Sequence, residues 1–154
     1  MTKAEALIVP PRYRLTVQRR LINWLVWLQV RLGLPPRHRY LLRMVGRRSG
    51  RVHTTPVGLV EERGSRWLVA PYGEVGWVRN VRAVGTASLQ RGSRVERVRL
   101  QPVGAKEAGP VLRRYVVLEA ITRPYFDAEP DAPEAAFGAE AARHPVFRIL
   151  PPAA

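Results

Sequence analysis

The chain has no cysteine, which removes a disulfide scaffold, a thiolate metal site and a cysteine nucleophile, and suits a reducing, cytoplasmic setting. Lysine occurs only at Lys3 and Lys106, so nearly all of the cationic charge is arginine. Acid is scarce in the first part of the chain: Glu5 is the only Asp or Glu before Glu61, which argues against a paired-carboxylate site there. The three histidines, His38, His53 and His144, are scattered without metal-ligand spacing. Neither a G-x-S-x-G elbow nor a G-x-x-x-x-G-K-[ST] loop occurs. No apolar run is long enough to span a bilayer, the longest candidate being residues 24–28. The N-terminus also lacks the charged, apolar, small-residue order of a secretion signal. These absences leave a protein whose chemistry is better supplied by a bound redox cofactor than by its own acid–base groups.

What is present is a chain of 154 residues, the size of one domain with a real core. A hydrophobic content of 46% excludes general disorder. The net charge of +14 is uneven, because twelve Lys and Arg stand against one acid through Val60. Such a basic segment predicts an anionic partner: a phosphorylated ligand, an acidic membrane surface or nucleic acid. Nucleic acid is the weakest of these, since aromatics are few and the arginines lie on several elements rather than one stripe.

The patterning predicts an α+β chain in two parts. Residues 1–35 form a lead-in, with Ile8-Val9-Pro10-Pro11 extended, followed by an amphipathic helix over residues 15–34. Leu21, Leu25, Leu28 and Leu32 line one side of that helix, and Gly33 and Pro35-Pro36 stop it. Its leucine stripe is expected to pack on protein, with the inner face of a membrane as the alternative. Residues 36–154 predict a small antiparallel barrel with strands at 40–45, 53–62, 66–71, 86–91, 94–102 and 145–150. Gly64 and Gly92 mark hairpin turns. Helices are expected at 77–84 and 107–121, and residues 122–144 read as an irregular loop or a partly helical lid.

The stretch from Tyr40 to Arg82 carries the chemistry. Gly46-Arg47-Arg48-Ser49-Gly50-Arg51 is a cationic turn between two apolar runs. Its glycines expose backbone N–H groups, and its guanidiniums match phosphate or carboxylate oxygens. His53, Thr54 and Thr55 extend the cradle. An ordinary solvated hairpin turn is the competing reading.

Three motifs in order, GRRSGRVHTTPV, WLVAPYGE and GWVRNVRA, resemble the deazaflavin (F420)-dependent nitroreductases, also described as F420H2-dependent quinone reductases. The resemblance covers residues 40–115, with an echo at 144–150. It implies a six-stranded antiparallel split β-barrel of the FMN-binding type with flanking helices. It also implies an oxidoreductase that passes hydride from reduced coenzyme F420 to a quinone, nitroaromatic or other electron-poor, lipophilic acceptor. Arg47, Arg48, Ser49 and Gly50 would hold the anionic side of the cofactor, with His53 where members often carry arginine. Thr55 and Pro56 would border the ring. Ala70, Pro71, Tyr72 and Gly73 would form the ridge opposite, and Trp77, Asn80 and Arg82 would close the tail site. Tyr115 or Tyr125 would donate a hydrogen bond or proton to the acceptor. Barrels of this kind are commonly homodimers. The chain departs from nitro-reducing members at Gly58, where they carry tyrosine, and at Pro71, where they often carry serine. Other branches of the fold bind FMN or other flavins, haem, biliverdin or fatty acids, so a non-enzymatic lipid or flavin binder is the alternative.

Overall fold

The computed structural model describes residues 17–154. The expected lead-in at residues 8–11 lies outside them. Six strands, β1 (Arg39–Val45), β2 (Val52–Glu62), β3 (Ser65–Val69), β4 (Thr86–Arg91), β5 (Arg94–Pro102) and β6 (Val146–Leu150), close into an antiparallel barrel of order β1-β2-β3-β6-β5-β4. Short strands that alternate inward and outward residues favour closure, which leaves no unpaired edge. Leu42 and Met44 of β1, Val57 and Leu59 of β2, Leu89 of β4 and Phe147 of β6 meet in the barrel interior. The β2–β3 connection is two residues long, and both Arg63 and Gly64 take positive φ, as a type I′ hairpin requires. The third strand stops at Val69, short of the expected residue 71. Beyond it the Ala70 N–H donates to the Pro145 carbonyl at 2.9 Å and the chain turns.

A second core lies outside the barrel. Helix α3 (Ala105–Leu118) lays Val111, Leu112, Tyr115 and Val116 against Val60, Trp67 and Val69. The segment expected to be an irregular loop or a partly helical lid is partly helical and packs here. It forms a 3-10 helix (Ala120–Tyr125) and a short helix α4 (Glu134–Gly138), and it buries Phe126 and Phe137. Its sequence hides this because the fit depends on two glycines: a Cβ at Gly109 would stand 2.6 Å from the Glu134 carbonyl oxygen, and one at Gly138 2.9 Å from that of Ala105. Helix α2 (Gly76–Val84) ends at Gly85, whose φ of 75° gives the left-handed C-terminal turn.

Helix α1 (Val17–Arg31) lies against β1, β2 and β4. The stripe expected to pack on its own domain or across a dimer faces away from the barrel: Leu21, Leu25 and Leu32 are 58%, 51% and 62% exposed, with Trp24 at 54%. The side toward the barrel carries Arg19, Asn23, Val26 and Val30 instead. The reason is polar. The Arg19 guanidinium donates to the Tyr125 hydroxyl at 2.8 Å, and the Gly92 N–H reaches the Val30 carbonyl at 3.0 Å. Arg91 then fixes the connection to β1, its guanidinium donating to the carbonyls of Gly33, Leu34, Pro36 and Arg39.

At the end of α3, Glu119 receives Arg39 Nε at 2.7 Å and Nη2 at 2.9 Å, and lies 2.7 Å from His38 Nε2. Burial opposes its ionisation, but the His38 and Arg39 hydrogen bonds outweigh that cost and hold the carboxyl at about 2. A carboxyl depressed in the fold contributes stability above its unfolded value and loses it as pH falls. Unfolding free energy is therefore expected to drop as pH falls from 4.5 to about 2, and Glu119→Gln should start lower at neutral pH and lose less over that window in urea titrations. Gly109→Ala should cost about 1–3 kcal/mol in the same assay, because backbone rather than a movable side chain blocks the added methyl.

Candidate functional site

The cationic turn bridges β1 and β2. The Gly46 N–H donates to the Arg51 carbonyl at 2.7 Å and the Gly50 N–H to the Gly46 carbonyl at 3.0 Å, with Gly50 at φ 67°. Gly46 itself has no room for a side chain, since a Cβ would lie 2.6 Å from His53 Nε2 and 2.8 Å from Ser49 Oγ. The glycine thus lets Ser49 and His53 close to 3.4 Å over the turn.

Asn80 ties this turn to α2. Its Oδ1 accepts the Arg47 backbone N–H at 3.2 Å and Arg47 Nη1 at 2.9 Å, and the side chain is buried. Arg47, Arg48, Ser49, His53, Thr55, Trp77 and Asn80 consequently line one open cleft of about 390 Å3. Met44, which the motif reading passed over, joins its wall along with Gly46, Thr54 and Gly76, and no Asp or Glu lines it. Arg47 is committed to Asn80, whereas Arg48 is exposed with no hydrogen-bond or ion-pair partner among the described residues.

The other predicted residues gather elsewhere. Arg82 turns away from the cleft to Glu74, at 2.7 and 2.9 Å, with its guanidinium 5.4 Å from the Phe147 ring centre. Its expected partner was a bound anion; Glu74, eight residues earlier, occupies it in this structure. Pro56 follows Thr55 on β2 and is paired with Leu41. The ridge of Ala70, Pro71, Tyr72 and Gly73 is locked from behind, because His144 Nδ1–H donates to the Pro71 carbonyl at 2.8 Å and the His144 ring stacks on Phe126. Burial depresses the His144 pKa, outweighing the Pro71 hydrogen bond, so the imidazole is held neutral with its proton on Nδ1.

Tyr72 meets Tyr125 edge-on at 4.8 Å. Tyr115 lies beneath β2, where its ring would be 2.9 Å from a Cβ at Gly58. Burial raises the Tyr115 pKa, with Glu119 adding to the effect, so its hydroxyl keeps its proton. The candidate residues therefore form two groups, a cation cleft and a tyrosine cluster. The stretch of β2 from Thr54 to Gly58 joins them, a span of ~13 Å at strand rise. His38, Arg39, Glu119 and Arg19, which brace the tyrosine end, carry no local motif; their partners lie 80 or more residues away.

Asn80→Ala leaves two donors of Arg47 without their acceptor. It is expected to lower stability by about 1–2 kcal/mol, read by urea unfolding, and to speed amide exchange at residues 46–51.

Residues 28–127 match the model of the F420H(2)-dependent quinone reductase family. No curated protein matches the chain. Among solved structures, an F420-H2 dependent reductase, FDR-A, superposes with a TM-score of 0.51 and 24% identity, over 73% of this chain and 94% of that one. A structure described as a domain-swapped dimer gives 0.53 and 21%, over 86% and 92%. A protein of unknown function from Agrobacterium tumefaciens gives 0.50 and 15%, over 92% and 57%. These structures share the barrel fold. The family match spans most of the barrel and both halves of the candidate site, and the chain accordingly belongs to the F420H(2)-dependent quinone reductase family, oxidoreductases that use F420.

Proposed function

We propose that F420 lies along β2, with its anionic phosphate and carboxylates in the cleft at Arg48 and its ring toward Thr55, Pro56 and the ridge, and that the acceptor is a lipophilic quinone. One observation carries this reading: an acid-free cleft built around Arg48, which has no partner among the described residues, stands one strand length from a cluster of tyrosines. An elongated ligand, anionic at one end and flat and apolar at the other, matches that donor set. When bound in reduced form, F420 supplies the hydride. The chain's own part is to bind, orient and exclude water.

In this reading the Arg48 guanidinium and the Ser49 hydroxyl hold the anionic end, while Arg47 and Asn80 keep the turn in shape; the Gly46 and Gly50 N–H groups, expected to face the anion, donate within the turn instead. His144 positions the ridge through the Pro71 carbonyl. Tyr125, whose hydroxyl accepts from Arg19, keeps its own O–H to donate to the acceptor oxygen. Tyr115, held protonated, is a hydrogen-bond donor rather than a source of the proton. A tyrosine at position 58, as in nitro-reducing members, would collide with Tyr115 and Glu119, and this favours quinones over nitroaromatics. The acceptor is met at an anionic membrane face through α1. Support comes from its exposed leucines and Trp24 beside Arg20 and Arg31, an interfacial pattern. No helix of the described residues is long and apolar enough to cross a membrane. A second copy is the rival occupant of the stripe; pairing would bring +14 against +14.

Arg48→Ala is expected to weaken F420 binding by about 1–3 kcal/mol in fluorescence titrations, with the fold intact by circular dichroism. Unchanged affinity would return the turn to an ordinary solvated hairpin. Leu21→Ser with Leu25→Ser should abolish co-sedimentation with vesicles containing anionic lipid while sparing F420 binding. Loss of a dimer in sedimentation velocity, with vesicle binding unaltered, would instead assign the stripe to a homodimer.

A further inference from the structure

Helix α1 turns an arginine toward the barrel. Arg19 and Asn23 stand one turn apart on that side, ahead of Val26 and Val30, and Arg19 is half-buried. Elsewhere Arg39, Arg66, Arg91 and Arg143 donate to carboxylates or carbonyls, groups with no proton of their own to place. Arg19 donates to a phenol, its Nη2 standing 2.8 Å from the Tyr125 hydroxyl oxygen. The difference matters because a hydroxyl is donor and acceptor at once, and its proton rotates to suit its neighbours. A phenol O–H lies near the plane of the ring and points to one side or the other. A guanidinium seated on one side sends the proton to the opposite one. Being charged, that donor also polarises the O–H toward the next acceptor in line. The Tyr125 ring is held separately, edge-on to Tyr72 with 4.8 Å between centres. Tyr72 belongs to the ridge that His144 fixes through the Pro71 carbonyl. Ring position and O–H direction at Tyr125 are thus set by two different elements, the ridge and α1.

Without Arg19 the Tyr125 ring would stay where Tyr72 holds it, but its proton would be free to point either way. We infer that Arg19 is a positioning residue for the electron acceptor: it aims the Tyr125 hydroxyl at the acceptor's oxygen and makes α1 a wall of the reaction site. Negative charge grows on that oxygen as hydride reaches the acceptor, and a donor aimed beforehand stabilises it with no reorganisation at the moment of transfer. The inference rests on the proposed role of Tyr125 as donor to the acceptor. It gives the two sides of α1 linked tasks, with the leucine stripe turned outward and Arg19 turned to the tyrosines. It also explains why no motif announces this part of the site, since Arg19 and Tyr125 are 106 residues apart.

The test uses the full chain, F420H2 as reductant and menadione as acceptor. Arg19→Gln should lower kcat about tenfold, the scale of one charged hydrogen bond strengthened in the transition state. The KM for menadione and the F420 affinity read by fluorescence should stay within about twofold. Arg19→Lys should recover most of the loss, because a single donor on the hydroxyl does not need the guanidinium fork. Tyr125→Phe should lower kcat as far, and adding Arg19→Gln to it should change nothing further. With neither cofactor nor acceptor present, the Cζ resonance of Tyr125 in carbon-13 tyrosine-labelled protein, identified by its loss in Tyr125→Phe, should shift in Arg19→Gln. An unmoved resonance, an unchanged kcat in Arg19→Gln, or losses that multiply in the double variant overturn the inference and leave the cofactor reading standing. So does a kcat loss that lysine fails to restore and that comes with a lower thermal midpoint, which makes Arg19 a structural tie only. An unchanged kcat in Tyr125→Phe removes that tyrosine from the acceptor, and the role of Arg19 falls with it. A wild type that binds no F420 overturns the proposed function as well.

Discussion

Barrel closure is the constraint on which the rest of the structure depends. Strand β6, at residues 146–150, inserts between β3 and β5, so the two halves of the sheet stay open until the end of the chain arrives. That insertion also sets the candidate site. The Pro145 carbonyl and the His144 ring, just ahead of β6, hold Ala70 and Pro71, and the ridge is rigid only because the barrel has closed behind it. The same insertion sends residues 105–144 outside the barrel, where they build the second core that seats Tyr115 and Tyr125. Long-range pairing of this kind is slow to form but leaves no free edge.

Arginine has two roles in this chain, and the structure separates them. Arg39, Arg66, Arg91 and Arg143 act as staples, each satisfying carboxylates or several carbonyls of a connection. The guanidinium suits this work because it stays charged and presents donors in a fixed fork. Arg48 is not used in this way. It lines a cleft from which acid is missing, and such surfaces raise the local concentration of anions. The charge of +14 is thus partly internal bracing and partly a field presented to a ligand.

Two chemically distinct regions on one strand form the functional core. Strand β2 carries His53, Thr54 and Thr55 at its cationic end and Gly58 beneath Tyr115 at its apolar end. A hydride-transfer protein needs this division, because the anionic end of a cofactor supplies binding energy far from the reacting ring, where water must be excluded. Strand geometry fixes the separation without any moving part.

The strands, the two hairpin turns and the cationic turn are legible in the chain alone, because period-two patterning, Gly64, Gly92 and the Gly46-to-Arg51 motif act over a few residues. The turn motif also groups Arg47, Arg48, Ser49, His53 and Thr55, and the family resemblance adds Trp77 and Asn80 to them. Less legible is what depends on tertiary partners. The leucine face of α1 reads as one that packs on its own domain or across a dimer, but which side meets the barrel is set by Arg19 and Asn23, because Tyr125, more than a hundred residues away, offers Arg19 an acceptor. Arg82 meets Glu74 only eight residues earlier, and residues 122–144, which read as an irregular loop or a partly helical lid, pack tightly because Gly109 and Gly138 let two helices touch. Which arginines remain free among the described residues is settled by tertiary contacts, because a guanidinium's availability is a property of what the fold places next to it.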